Sequence, residues 1–181
     1  QSAKEKIAPR ATLGKIEKKS LEDTPTEAKP NGETGQNIVD LEKSLLEASR
    51  LLLREYGVRK STAAIRDAVD KPHENFSPLQ AVEALSQLGF KCSFGNISIS
   101  KISESFCPLI AFKKDGTAIL IKSLSDEGNY ICVDKGLKSE AQTFDKSEFK
   151  KIFSGYFIIA KELNKREKEE RSGHWFFSAF R

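Results

Sequence analysis

At 181 residues, 38% of them hydrophobic, the chain is long enough to bury a core without disulfides and has room for one domain plus tails. Its 30 basic and 26 acidic residues leave a net charge of +4, but the signs are mixed along the chain. The one-signed stripe that a nucleic-acid backbone selects is missing, so nucleic acid is excluded as a partner.

The first 36 residues are rich in Lys, Glu, Thr, Pro and Gly with isolated aliphatics only, too little apolar surface to offset the entropy of ordering them. A disordered tail is expected over 1–36. Its Lys15, Lys18 and Lys19 alternate with Glu17, Glu22 and Asp23, which argues against a polybasic membrane anchor. Order is expected from Asn37, where Ile38, Leu41, Leu45, Ala48, Leu52 and Tyr56 recur at helical spacing and Gly57 supplies the stop. Ser61 caps a second helix through Val69. Ser77-Pro78 opens a third, with Leu79, Val82, Leu85 and Leu88 on one face and Gly89 at its end.

After Gly89 the pattern shifts to short β-branched or aromatic runs: Phe90 to Phe94, Leu109 to Phe112, Ala118 to Lys122, Tyr130 to Val133 and Tyr156 to Ala160. Asp115-Gly116 signals a hairpin, and Asp126 to Asn129 the next turn. A small helix over Lys146 to Phe153 interrupts the strands. Helices followed by an antiparallel sheet give an α+β domain over 37–163. Residues 164–181 form a charged linker that ends in the aromatic cluster Trp175, Phe176, Phe177 and Phe180.

No run approaches the roughly 20 apolar residues of a membrane span, and no signal peptide is visible; a soluble, cytosolic chain is expected. It contains no methionine, even at the start, which marks it as a fragment or a processed product. Cys92, Cys107 and Cys132 are odd in number, and none sits in a CxxC pair. They read as buried thiols of a reducing compartment. With His73 and His174 far from them in sequence, neither a metal site nor any other cofactor is expected.

Over roughly Asp40 to Leu163 these segments resemble the bacteriocin-processing cysteine peptidases (family 39) found at the N-terminus of ABC exporters. The resemblance is carried by Glu55-Tyr56-Gly57 closing the first helix and by the helix from Ala81 into Leu88-Gly89-Phe90. It continues through the proline-led strand Pro108 to Phe112, the strand Tyr130 to Val133 ending in Asp134, and Glu148-Phe149 before Ser154-Gly155. It implies a papain-like fold, with N-terminal helices packed on an antiparallel sheet.

A papain-like site needs a thiolate at a helix N-terminus, an imidazole to take its proton, and a carboxylate or amide to orient that ring. By the family's spacing the nucleophile falls at Ser44 and the histidine at Thr117 or Ala118, so of the three only Asp134 is retained. Gln36 is the nearest match to the oxyanion glutamine. The resemblance therefore implies a domain without peptidase activity.

In haemolysin-type and large-adhesin secretion systems the resembling domain holds the unfolded substrate near the transporter. The implied role is a docking domain of a type I secretion ABC transporter, on the cytoplasmic side of the bacterial inner membrane. Its partners would be an unfolded RTX-type toxin or adhesin, the rest of the transporter and the membrane fusion protein. Phe112, Tyr130, Phe153 and Tyr156 are the candidate substrate-binding residues, and Trp175 to Phe180 a membrane elbow. The isolated domain is expected to be a monomer. The alternatives are a divergent peptidase using Cys107 and His73, and a structural or regulatory domain that contacts only the transporter.

Overall fold

The computed structural model describes residues 32–70, 75–134 and 141–164, apart from the side chains at positions 32–34 and 36. Gln1–Gly35 separates from Gln36–Arg181 as a unit of its own, and of it only the opening turn of the first helix is described. The helices are α1 (Gly32–Glu55), α2 (Thr62–Asp67), α3 (Pro78–Gln87) and α4 (Lys146–Ile152). The strands are β1 (Phe90–Asn96), β2 (Leu109–Lys113), β3 (Ala118–Leu124), β4 (Tyr130–Val133), β5 (Gln142–Phe144) and β6 (Phe153–Glu162). Single 3-10 turns stand at Ile99–Lys101 and Glu104–Phe106.

α1 buries Leu45, Leu46, Ala48, Ser49, Leu52 and Leu53, a stripe wide enough to make it the central helix. Ser49 is accommodated because its hydroxyl donates to the Leu45 carbonyl at 2.7 Å. The Tyr56-Gly57 pair has a plain mechanical role. The tyrosine hydroxyl donates to the Ala160 carbonyl on β6 at 2.7 Å, its ring lies 5.2 Å from that of Phe90, and Gly57 turns the chain with φ of +76°. Helix end and sheet are thereby tied together. Ser61 caps α2 and Ser77 caps α3, each accepting a backbone N–H three residues on. An Arg66–Glu42 ion pair links α2 to α1.

The six strands run in the order β1-β6-β2-β3-β4-β5, every neighbouring pair antiparallel. Ile110, Phe112, Ala118 and Leu120 pack towards the three N-terminal helices. Leu109, Ala111, Ile119 and Ile121 pack on the opposite face with Phe149 of α4 and with Ile99 and Ile102. Burial on both faces is why β2 and β3 read as unbroken apolar runs rather than alternating ones. α4 is held by a reciprocal cap between Asp145 and Glu148, and the next residue, Phe149, is fully buried.

The fold class is the one expected from the sequence; several boundaries differ. α1 begins at Gly32 instead of Asn37, because its first turns are polar and carry no apolar face to read. Phe153 opens β6 directly after α4 instead of ending the helix. β5 is short and mostly exposed, which leaves no apolar alternation to mark it. The β2–β3 connection is a three-residue hairpin loop: the Lys113 carbonyl accepts the Gly116 N–H at 2.8 Å, and the Lys113 N–H donates to the Thr117 carbonyl at 2.8 Å. Gly116 has φ of +88°, and a Cβ there would stand 2.8 Å from Cδ2 of Leu41, so the hairpin tip lies directly against α1. Among the described residues no helix is long and apolar enough to cross a membrane.

Candidate functional site

Where the β2–β3 hairpin meets α1, Ser44, Thr117, Ala118 and Asp134 line one open cleft of about 610 Å3. Three stretches distant in sequence, at Ser44, at Thr117-Ala118 and at Asp134, are thus brought together. The polar groups of Ser44 and Thr117 are engaged within the fold. The Ser44 hydroxyl donates to the Leu41 carbonyl at 2.8 Å and accepts the Ala118 N–H at 3.0 Å. Its proton is directed into its own helix, and a lone pair is held by the strand. Ser44 also lies about three turns into α1, well beyond the first turn within which a helix N-terminus lowers a nucleophile's pKa.

Thr117 is used by the hairpin: its N–H and its hydroxyl both donate to Oδ1 of Asp115, at 2.8 and 2.6 Å. Those bonds hold the Asp115 carboxyl below its ordinary pKa. Ala118 offers only its backbone. Asp134, at the end of β4, is half-buried in the cleft wall. Neither a thiol nor an imidazole is among the described residues of the lining.

The other cysteines are no better placed for nucleophilic work. Burial pushes the Cys107 thiol up to about 11, with Glu104 adding to the effect and Lys161 opposing it. Burial likewise pushes Cys132, inside the core, up to about 12. Both are thiols rather than thiolates at neutral pH. Cys92 is half-buried against the helix-side core. His73, His174, Trp175, Phe176, Phe177 and Phe180, and the side chain of Gln36, lie outside the described residues. No three His, Cys, Asp or Glu side chains among those described gather as a metal site.

The four candidate aromatics divide between the two faces of the sheet. Tyr130 and Phe153 are corrections: both stack on Phe149 in the second core, at 4.9 and 5.4 Å. The Tyr130 hydroxyl donates to the Ile99 carbonyl at 3.1 Å. They are core residues because their strands turn those positions away from the N-terminal helices.

Phe112 and Tyr156 both line an apolar groove of about 470 Å3 that shares Lys113 with the cleft. Between them stands Phe94, stacked on Tyr156 at 5.7 Å and edge-on to Phe112 at 5.9 Å. Phe94 and Tyr156 stay 39% and 47% exposed, and Ile38, expected on the buried face of α1, is 41% exposed and lines the same groove. Phe94 was missed by sequence reasoning, although its even spacing from Phe90 puts it on the helix-side face of β1.

The profile of the Peptidase C39 family matches residues 38–165, more than two thirds of the chain. A search of curated proteins gives no match. Among solved structures, the N-terminal peptidase C39 like domain of the toxin secretion ATP-binding protein from Vibrio parahaemolyticus is similar, with a TM-score of 0.54 at 18% identity, over 68% of this chain and 97% of that one. A double glycine motif protease from an AMS/PCAT transporter, solved in complex with the leader peptide, gives 0.56 at 14% identity over 66% and 84%. The peptidase domain of Streptococcus ComA, a bi-functional ABC transporter involved in a quorum sensing pathway, gives 0.53 at 17% over 68% and 92%. At these identities the structures speak for the fold, and the sequence profile speaks for descent: the chain belongs to the Peptidase C39 family.

Proposed function

We propose that the chain is a non-catalytic docking domain at the N-terminus of a type I secretion ABC transporter, facing the cytoplasm of a bacterial cell. There it holds an extended segment of an unfolded RTX-type toxin or adhesin before export, beside the membrane and ATPase parts of the transporter and its membrane fusion partner. One relative of the same fold is a domain of a toxin secretion ATP-binding protein, and another was solved holding a leader peptide.

The observation that supports the non-catalytic reading is the closure of Ser44 from both sides: the Leu41 carbonyl accepts its hydroxyl proton, where a general base would act, and the Ala118 N–H donates to its oxygen. The docking reading is supported by the groove beside it, where Phe94, Tyr156 and Ile38 remain in water. Aromatic anchors of this kind dominate protein recognition. The peptidase alternative built on Cys107 is disfavoured by the elevated pKa of its thiol.

The test is an NMR titration with a calcium-binding RTX repeat fragment, once in chelator and once in calcium. Shifts at Phe94, Phe112 and Tyr156 are expected with the unfolded, calcium-free fragment alone. An intact fold with no shifts in either state would remove the docking reading and leave a role internal to the transporter. Cleavage of a double-glycine leader peptide, lost on Cys107→Ser, would restore the peptidase alternative.

A further inference from the structure

Three depressions adjoin around α1. Lys113 lines both the aromatic groove and the cleft. Glu47 of the cleft is ion-paired with Arg50, which lines a third depression of about 310 Å3, and the chain neighbours Ser61 and Thr62 line one each. This third pocket is walled by Arg50, Arg54, Arg59 and Lys60, with Val58 and Ser61 between them and no acidic side chain in the lining.

The backbone brings these cations together. Arg50 and Arg54 stand one helical turn apart. Gly57, at φ +76°, reverses the chain so that the Val58 N–H donates back to the Leu53 carbonyl at 2.9 Å, which returns Arg59 and Lys60 to the side of the helix end. Arg54, in the last turn, is favoured there by the helix dipole; that does not account for Arg59 and Lys60. Arg50 has Glu47, whereas Arg54, Arg59 and Lys60 make no ion pair among the described residues. Like charges gathered in one concavity repel, and an anion relieves them.

We propose that this pocket takes acidic side chains of an extended polypeptide whose neighbouring residues follow the cleft and groove around α1. The occupant is read from charge complementarity, four cations against the single carboxylate of Glu47 at the edge, and from the pocket's place next to the cleft, which shares Lys113 with the aromatic groove. A lipid surface suits it less, because the charges line a concavity instead of a convex face. The inference rests on the docking reading for the identity of its partner; the pocket itself can be probed alone.

The experiment titrates the whole 181-residue chain with hexaglutamate, followed by NMR. Shifts are expected at residues 50–61, fading at high salt as the screening length falls from about 10 Å to about 3 Å. The double variant Arg59→Glu with Lys60→Glu is expected to weaken binding by about tenfold. Lys101→Glu with Lys150→Glu, an equal change in charge at exposed positions elsewhere, is expected to leave it within about twofold. Equal losses in both variants, or shifts spread over all basic residues, would overturn the site. Tighter binding of inorganic phosphate or of phosphatidylglycerol vesicles than of hexaglutamate at these residues would overturn the acidic-peptide assignment. Hexaglutamate binding with a groove indifferent to the RTX fragment defeats the docking reading alone; a responsive groove with no hexaglutamate binding defeats this proposal alone.

Discussion

Replacing Ser44 by alanine separates a structural serine from a chemical one. Its hydroxyl is the acceptor for the N–H of Ala118, a residue only 2% exposed. Stranding such a buried donor costs about 1–3 kcal/mol. Ala118 lines an open cleft, so water recovers part of that cost, and alanine in a helix returns about 0.5 kcal/mol. The expected net loss is about 1 kcal/mol, which lowers a urea midpoint by about 0.3–1 M. Ser49→Ala is the internal control, since that hydroxyl is fully buried but only donates to a carbonyl of its own helix; its removal is expected to be neutral or mildly stabilising. Urea unfolding of the two variants side by side is the assay. Equal midpoints for Ser44→Ala and Ser49→Ala would refute the claim that Ser44 bolts the hairpin to α1.

Phe94→Ala and Tyr156→Ala are each expected to weaken substrate docking by about tenfold or more, since aromatic anchors are worth about 2 kcal/mol, with small changes in stability because both rings are partly in water; calorimetry of binding and urea unfolding check the two halves. Thr117→Val removes a hydrogen bond that depresses the Asp115 pKa. A carboxyl whose folded pKa is lowered stabilises above its ordinary value and loses that contribution as pH falls through the folded one, so the variant's deficit should be present at pH 7 and shrink in acid unfolding below about pH 4. Cys107 and Cys132 have raised folded pKa values, so their contribution is intact below the ordinary value of 9.0 and is lost as pH rises from there towards 12. Alkylation of Cys107 by iodoacetamide in the folded chain should therefore rise near pH 11, and an inflection near 9 would contradict the burial that was invoked.

The sequence was informative wherever packing alone dictates residue type. Ile110, Leu120 and their neighbours are buried on both sides of the sheet, and a doubly buried strand leaves an apolar run that nothing else explains. Tyr56-Gly57 and Glu148-Phe149 were legible as marks before their physical roles as latch and cap were visible. Tyr130 and Phe153 were misread because an aromatic in a strand looks the same whichever layer it enters. Phe94 was overlooked because its role depends on Tyr156 and Phe112 arriving beside it from two other strands. The cationic pocket is likewise a product of the reversal at Gly57; in the linear sequence its members are scattered among ordinary surface charges.

The length of α1 ahead of Ser44 bears on evolutionary history. Under the docking proposal, with Ser44 at the nucleophile position and Thr117 or Ala118 at that of the base, the shortest route to a thiol and an imidazole in the cleft is two point changes, to cysteine at 44 and to histidine at 117 or 118. A cysteine at 44 would sit about three turns from the helix's positive end, and a histidine at 117 or 118 would stand on a hairpin whose tip lies against Leu41. On that proposal, a reactive thiolate requires a change at the start of the helix as well as at these two positions. On the same proposal the cleft is free to vary while the groove residues Phe94, Phe112 and Tyr156 are constrained, and variation among related domains should be distributed accordingly.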